Sequence, residues 1–384
     1  MLSTLTSDQL ARDLAVRDLT DPASGPHAVQ LVLERAVAAL AERWGCQVRW
    51  HRGERIVPVA DNYDLLGYDP ADITRDARYT RYVDAQRMLR SHSSALIPSA
   101  LRTLAAEDAE PADDALLVCP AVAYRRDAID RLHSGTPHQL DLWRVSRRAR
   151  LGEADLREMV ATLLDALLPG SEHKLDPRVH PYTLAGQQVD VRRSATAAGD
   201  GARDEAWVEV AECGLAHPDV LARAGLDAAY TGLALGMGLD RVLMLIKGVP
   251  DIRLLRAADP RIAAQMLDLE PYRPVSALPP IRRDLSAAVE AGDLVEDLGD
   301  RVRDALGADA ARVEAVEILA RTACAGLPPA ALARLGARPD QDNLLVRVTL
   351  RDLERTLTDQ DANVLRDRIY AALHRGAEYQ WSTS

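Results

Sequence analysis

An apolar run that stops abruptly at two arginines is the feature that most constrains how this chain can fold. Residues 115–124 read ALLVCPAVAY, and a polar loop then leads into residues 138–143, HQLDLW. A buried strand tolerates the apolar run but not the arginines, so the strand must end where they begin. We therefore predict a strand, a loop and a returning strand, on which Gln139 and Asp141 share one face because strand side chains alternate.

Two interpretations of this segment stay open on the residues alone. Arg125 directly follows the apolar strand, so its guanidinium could be held rigidly over a cleft, with His133 on the loop beyond it. An arginine on a phosphate, opposite an amide (Gln139) and a carboxylate (Asp141) that hold an ammonium, would suit activation of an amino acid by ATP. The alternative is an exposed hairpin that carries surface ion pairs.

The bulk composition excludes several classes of protein. With 384 residues the chain can bury a large core, and we expect more than one domain. No apolar run approaches a membrane span and no secretory signal pattern begins the chain, so we expect a cytoplasmic protein without membrane contact.

The four cysteines form no CxxC pair, which argues against a structural zinc site. A net charge of -11 argues against non-specific coating of nucleic acid.

The order of the predicted elements indicates an α+β protein with two domains. Apolar side chains recur at helical spacing over residues 27–44 and 153–168. Residues 270–281 are rich in proline and lack periodicity, which is typical of a linker. Beyond them the pattern reads strand, helix, strand, strand, helix, which fits a small ferredoxin-like α+β domain. We therefore predict domains at residues 1–272 and 273–384.

Four stretches carry sequence motifs in a fixed order. They are LRSHSS (89–94), AYRRDAIDRLHSGTPHQLDLW (123–143), WVEVAECGLAHP (207–218) and GLALGMGLDRVLMLIKGVPDIR (232–253). In that order they resemble the Arg-Thr-His-Thr-Ser segment, motif 2, the Trp-Leu-Glu-x-x-Gly-x-Gly-x-x-x-Pro strand and motif 3 of class II aminoacyl-tRNA synthetases, in particular the phenylalanyl-tRNA synthetases. Residues 279–289 and 355–369 are similar to the ferredoxin-fold anticodon-binding domain of that family. One motif alone would be weak, but the ordered set is specific.

This resemblance implies a fold, a reaction and a set of nucleotide-binding residues. The fold would be the class II antiparallel-sheet core flanked by helices, followed by a small ferredoxin-like domain. The reaction would be ATP-dependent formation of an aminoacyl-adenylate and its transfer to tRNA, with Mg²⁺. By resemblance, the catalytic and ATP-binding residues would be Arg125 at the α-phosphate, His133 near the β- and γ-phosphates, Arg241 on adenine, Glu209 at Mg²⁺, and Gly236 and Gly238 under the nucleotide.

The resemblance also assigns the amino-acid site, where this chain departs from the family. It implies that His92 and Ser94 lie next to the substrate. It also implies that Gln139 and Asp141 bind its ammonium, with Asp141 standing where the family has Glu. The family's phenyl pocket, Phe-Pro-Phe-Thr-Glu-Pro, corresponds here to HPYTLA, in which His180 and Tyr182 replace the two phenylalanines. Since both replacements carry polar atoms, the amino acid is either phenylalanine or a more polar aromatic analogue.

Two other functions stay open from the sequence. A paralogue of the synthetases could activate an amino acid for a carrier protein or a small metabolite, and a non-catalytic module could only bind one. No stretch resembles the coiled-coil arm of the bacterial α subunit or the editing domain of the β subunit. We therefore expect the compact, single-chain form, either as a monomer or as a homodimer.

Overall fold

The computed structural model describes residues 4–77, 79–106, 113–192, 207–275 and 278–379, and it divides into two compact units. Unit 1 comprises Met1–Arg125, Thr136–Pro250 and Ala264–Tyr272, and unit 2 comprises Arg126–Gly135, Asp251–Ala263 and Arg273–Ser384. On sequence grounds residues 126–135 and 251–263 belong to the first domain, whereas in the structure they group with unit 2. The division into functional domains at residue 272 stays a prediction.

Unit 1 combines a large sheet with flanking helices. Its strands are β1 (Gln47–Trp50), β2 (Ile56–Pro58), β3 (Arg87–Leu89), β4 (Asp114–Val122), β5 (His138–Ser146), β6 (His173–Pro177), β7 (Thr183–Arg192), β8 (Trp207–Ala216) and β9 (Thr231–Gly238). Its helices are α1 (Ser7–Leu14), α2 (Ala28–Trp44), α3 (Val59–Asn62), α4 (Ile97–Ala105), α5 (Glu153–Leu167), α6 (Pro218–Arg223) and α7 (Leu239–Lys247).

The main sheet has the strand order β1-β4-β5-β9-β8-β7-β6. Only the β1–β4 pair at one edge is parallel, and the remaining described pairs in this sheet are antiparallel. β2 and β3 form a separate antiparallel pair. The α+β class and the antiparallel sheet flanked by helices, both predicted from the sequence, are confirmed.

Helices cover both faces of this sheet. α2, α5 and α7 pack together with β5 and β8, and α5 buries the face that its apolar spacing predicted, from Leu156 to Leu167. α4 lies with an apolar cluster that includes Leu101 and the fully buried Trp143. Trp143 stands two residues beyond Asp141 on β5, so the cluster and this carboxylate occupy the same face.

β4 and β9 both end beside the start of β5. They precede the predicted site residues Arg125 and Arg241. Val122, the last residue of β4, pairs with His138, and Gly238, the last residue of β9, pairs with Gln139. The chain therefore leaves the sheet toward Arg125 and toward α7 at the same end. α7 begins directly after Gly238, as the sequence predicted.

Unit 2 contains a three-stranded antiparallel sheet of order β10-β12-β11. Its elements are α8 (Pro260–Ala263), β10 (Ile281–Glu290), α9 (Val295–Leu306), β11 (Val313–Ala323), α10 (Pro329–Leu335), β12 (Gln341–Leu350) and α11 (Asp359–Leu373). Ile129 belongs to the apolar core of this unit, and its carbonyl accepts a bond from the amide of Val316 at 3.0 Å, which explains why residues 126–135 group here. The part of the chain that the structure describes holds no helix with the length and hydrophobicity of a membrane span.

Candidate active site

A row of three residues crosses the main sheet at its centre. Asp141 of β5 pairs with Gly236 of β9, which pairs in turn with Glu212 of β8. Directly paired residues of antiparallel strands point to the same face, so two carboxylates flank a position that has no side chain. A Cβ built on Gly236 would lie 3.7 Å from Asp141 Oδ2. The glycine therefore leaves an open slot between the carboxylates, with backbone as its floor.

Asp141 is held in a cage of hydrogen-bond donors. Its Oδ2 accepts from Ser93 Oγ at 2.5 Å and Ser94 Oγ at 3.1 Å, and its Oδ1 accepts from Trp143 Nε1 at 3.2 Å. The residue is only 2% exposed. Burial outweighs these three hydrogen bonds and raises the pKa of Asp141 to about 6. A cation placed against this carboxylate would favour its ionised form, which is what an ammonium ligand requires.

The turn that carries the two serines is tied to both sheet and helix. Gln139 Oε1 accepts from the amide of Ser93 at 3.2 Å, which joins the turn to β5. Asn62, at the end of α3, binds Ser91 through both atoms of its amide, with Nδ2 2.9 Å from Ser91 Oγ and Oδ1 3.0 Å from Ser91 N. The predicted residues Ser94, Gln139 and Asp141 are therefore brought together.

His92 carries a buried polar atom that no described residue satisfies. Its Nδ1 has no hydrogen-bond partner, and its ring stacks on Tyr68 with 6.0 Å between centroids. Burial, and secondarily the charge of Arg125, lowers the pKa of His92 to about 3, so the imidazole is neutral. A buried polar atom without a partner in the protein is a candidate contact for a ligand.

Aromatic rings form one wall of the slot. The ring of Tyr182 is stacked on Trp143 at 6.2 Å between centroids and lies 5.2 Å from His180 and 6.2 Å from Tyr68. Burial raises the pKa of Tyr182 well above its ordinary value, so its hydroxyl keeps its proton. The structure thus brings Tyr182 next to Trp143, which adjoins Asp141, and brings His180 next to Tyr182.

Glu212 joins this site and is not among the site residues predicted from the sequence. Its Oε2 lies 2.8 Å from His180 Nε2 and its Oε1 lies 2.9 Å from Arg178 Nε. Burial alone would raise the pKa of Glu212, but the bond from His180 and the charges of His180, Arg178 and Arg125 lower it below the ordinary value. A signal was present in the sequence, because Glu212 stands where the family's strand pattern has Gly.

Arg125 is positioned through its backbone and its Nε. Arg125 Nε donates to the carbonyl of Ser91 at 3.0 Å, and its own carbonyl accepts from Arg81 Nη2 at 3.1 Å. Among the described residues no hydrogen-bond acceptor faces the two terminal nitrogens of Arg125. Its charge nevertheless acts on both His92 and Glu212. The guanidinium is therefore close to the slot and presents two donors to an anion.

A β-bulge brings Glu209 to the face of Glu212. Three positions apart, the two residues would point to opposite faces of a regular strand. The register shifts here, because Gln188 pairs with Glu212 whereas Asp190 pairs with Glu209. Bulges of this kind re-aim side chains near active sites. Arg241 Nη1 lies 3.2 Å from the Glu209 carbonyl and 3.5 Å from its Oε1, so the two predicted nucleotide residues are in contact.

Glu209, the residue predicted to bind Mg²⁺, fits the ion only as one of few protein ligands. No group of three or more His, Cys, Asp or Glu side chains among the described residues is arranged to hold a metal ion. Mg²⁺ often takes one or two carboxylates and completes its shell with water and substrate phosphates. The Glu209 side chain is 42% exposed and suits that arrangement.

His133 is the predicted site residue that lies in unit 2. There its Nδ1 is 2.7 Å from Asp130 Oδ2, and the amide of His133 donates to Asp130 Oδ1 at 3.0 Å. Burial alone would raise the pKa of Asp130, but the bonds from His133 and Leu132 lower it. The other predicted residues, including Gly238 opposite Gln139, lie in unit 1.

Comparisons with known proteins agree on one family. A model of the tRNA synthetases class II core domain (F) matches residues 13–266. The phenylalanine–tRNA ligase alpha subunit of Chromohalobacter salexigens is 32% identical over 259 residues, which are 66% of this chain and 72% of the relative. The alpha subunit of Teredinibacter turnerae is 30% identical over 245 residues (63% and 68%), and that of Geobacillus kaustophilus is 30% identical over 280 residues (68% and 77%).

Proposed function

The chain belongs to the class II tRNA synthetase family, and we propose that it activates an aromatic amino acid with ATP and transfers it to tRNA. The amino acid is phenylalanine or a more polar aromatic analogue. One observation carries the proposal: a slot between the carboxylates of Asp141 and Glu212 lies on the central strands, which lead at one end of the sheet to Arg125 and Arg241. The relatives, which are phenylalanine–tRNA ligase alpha subunits, support the same reaction.

The amino acid would lie in the slot above Gly236, a glycine that the family resemblance assigns to the nucleotide instead. Its ammonium needs acceptors, and Asp141 supplies a carboxylate while Gln139 Oε1 keeps a second lone pair beside its bond to Ser93. Its ring would lie against the wall that Tyr182 and Trp143 form. This orientation directs the substrate carboxylate toward Arg125.

Activation needs positioning and charge neutralisation more than acid–base chemistry. The substrate carboxylate is already ionised at neutral pH, so one of its oxygens attacks the α-phosphorus of ATP directly. A bond between that oxygen and phosphorus forms while the bond to the bridging oxygen of pyrophosphate breaks. Arg125 would neutralise charge on the α-phosphate with its two terminal nitrogens. Mg²⁺, held at Glu209, would supply further charge neutralisation on the phosphates.

Transfer to tRNA would follow on the same face. A ribose hydroxyl at the 3′ end of the tRNA attacks the carbonyl carbon of the adenylate, AMP leaves with the electron pair of the broken C–O bond, and the hydroxyl proton passes to solvent. We assign tRNA binding to residues 273–384, outside the range that the family model matches. The order of β10, α9, β11, β12 and α11 supports the assignment, because it is that of the first five elements of a ferredoxin-like domain, with α10 inserted between β11 and β12.

Amino-acid-dependent exchange of pyrophosphate into ATP tests activation, and aminoacylation of total tRNA tests transfer. Replacement of Arg125 by Ala should lower exchange at least 100-fold, since one preorganised charge contact contributes about this much to catalysis. Arg87→Ala is the matched control, because Arg87 pairs with Asp84 and its side chain is 60% exposed.

Three outcomes would contradict the proposal. Exchange that persists in Arg125→Ala would remove this residue from the reaction. Absence of exchange with every standard and para-substituted aromatic amino acid would remove the activity itself. Exchange without charging of any tRNA would redirect the proposal to another acceptor.

A further inference from the structure

We propose that Glu212 and His180 select an aromatic side chain that carries a hydrogen-bond donor at its far end. The inference rests on the proposed function, because it concerns the amino acid that the same slot admits. It deepens that function by naming the substrate class: a phenol or an aromatic amine in preference to an unsubstituted phenyl ring.

The position of Glu212 fits the far end of such a substrate. Asp141 and Glu212 stand on one face with Gly236 between them, so two strand spacings separate their backbones. That separation is roughly 10 Å, since neighbouring strands lie about 4.8 Å apart. An amino acid whose ammonium meets Asp141 can therefore direct the end of its ring toward Glu212.

Glu212 offers acceptors at the far end of the slot. It is held between two partners, with its Oε2 2.8 Å from His180 Nε2 and its Oε1 2.9 Å from Arg178 Nε. Each carboxylate oxygen has two lone pairs, so each can accept from a ligand beside its contact to the protein. A ligand hydroxyl or amine would supply that donor.

A buried polar atom without a described partner lies near Glu212. Thr183 follows Tyr182 directly, is 8% exposed, and its Oγ1 has no hydrogen-bond partner among the described residues. Gly214 lies two residues beyond Glu212 on β8. The Thr183 hydroxyl lies 3.0 Å from the position of a Cβ built on Gly214. Buried hydroxyls are almost always paired, so this one is a further mark of a missing polar ligand.

Phenylalanine would cover these groups without bonding to them. A pocket built to bond a substrate hydroxyl rejects the analogue that lacks it, because its own polar groups are then desolvated and unpaired. An acidic side chain would be repelled by Glu212. We therefore expect kcat/KM for tyrosine or 4-aminophenylalanine to exceed that for phenylalanine at least 100-fold.

The test is pyrophosphate exchange by the full-length protein with four amino acids: phenylalanine, tyrosine, 4-aminophenylalanine and 4-methylphenylalanine. The last has the shape of tyrosine but no donor, so it separates hydrogen bonding from pocket size. The variant Glu212→Gly/His180→Phe removes the acceptor together with the residue that holds it, and should prefer phenylalanine over tyrosine. Glu172→Gln, which breaks the exposed pair of Glu172 with Arg192 outside the slot, is the control and should keep the wild-type preference.

Calorimetric binding of the same four amino acids to the full-length protein separates this inference from the proposed function. Exchange that is fastest with phenylalanine, or equal for tyrosine and 4-methylphenylalanine, overturns the inference and leaves the proposed function in place. Tight binding of tyrosine or 4-aminophenylalanine without exchange supports the inference and overturns the proposed function. Neither binding nor exchange with any of the four overturns both.

Discussion

The buried carboxylate of Asp141 gives the sharpest prediction, which is that Asp141→Asn stabilises the protein without substrate. Asparagine resembles the protonated acid: its Oδ1 can accept from Trp143, and its Nδ2 can donate to the hydroxyls of Ser93 and Ser94. The pKa of Asp141 is raised to about 6 from the ordinary 3.8 because of burial. At about 1.4 kcal/mol per pH unit, ionisation of the folded protein costs roughly 3 kcal/mol.

The sign of the pH dependence follows from the direction of this shift. Between pH 4 and 6 the folded protein holds a proton that the unfolded chain releases, so the free energy of unfolding falls as pH rises. The stabilisation that the proton on Asp141 gives the folded protein is fully present below about pH 4 and is lost above about pH 6. Asp141→Asn should therefore equal the wild type near pH 4 and exceed it by up to roughly 3 kcal/mol at pH 8.

Tryptophan fluorescence during heating measures this difference in unit 1. Four of the five tryptophans, Trp44, Trp50, Trp143 and Trp207, lie in unit 1, and the fifth lies outside the described residues. At pH 8 the melting temperature should rise by roughly 6–12 °C, at 2–4 °C per kcal/mol for a unit of this size. The expected cost is weaker binding of the substrate ammonium, seen as a higher KM for the amino acid.

A matched substitution on the neighbouring strand should have the opposite effect. Asp114 is buried too, but it accepts two bonds from Arg144, at 3.0 and 2.8 Å. Asp114→Asn leaves that guanidinium without its counter-charge and should destabilise the protein by about 3–5 kcal/mol. If Asp141→Asn also lowers the melting temperature at pH 8, or keeps the wild-type slope between pH 4 and 6, the reasoning about Asp141 is wrong.

Three further predictions concern the slot and the nucleotide. Gly236→Ala should raise KM for the amino acid at least tenfold in exchange assays. It should not lower the melting temperature, because the new Cβ would make only ordinary contacts. Gly214→Ala is the contrasting variant and should lower the melting temperature, because its Cβ would lie 2.6 Å from Thr183 Cβ. Arg241→Ala should raise KM for ATP about tenfold and leave KM for the amino acid unchanged, since a guanidinium on an aromatic face contributes about 0.5–2 kcal/mol. Glu209→Gln should raise the Mg²⁺ concentration for half-maximal exchange about tenfold, and an unchanged Mg²⁺ titration would contradict its assignment.

Features with a strong local signal were predictable from the sequence. The apolar face of α5 follows from the spacing of its leucines, and the start of α7 follows from the Gly-rich approach that ends at Gly238. Gln139 and Asp141 share a face because alternation on a strand depends only on the strand itself. These cases need no knowledge of what the neighbouring chain does.

Features that depend on pairing between distant segments were not predictable. β6 has the short, polar sequence HKLDP at the edge of the sheet, and only its pairing with β7 makes it a strand. The bulge that re-aims Glu209 arises from the register between β7 and β8, and the sequence of neither strand alone predicts it. The hydrogen bonds from Ser93 and Ser94 to Asp141 join distant segments and were not predictable either, and the role of Asp141 as an ammonium ligand stays a prediction.

Three of the departures from the family's amino-acid site, at Asp141, Glu212 and His180, form one physical change across the central row. Contraction of the motif 2 Glu to Asp141 draws one carboxylate into its cage of donors, where ionisation is resisted. Glu212, in place of a glycine, introduces an ionised carboxylate on the other side of Gly236, and His180, in place of a ring without polar atoms, binds it. A mere exchange of one aromatic residue for another would account for His180 but for neither acidic change. Because the new charge lies two strands from the proposed ammonium site at Asp141, its effect should fall on the side-chain end of the substrate, and backbone recognition should be kept.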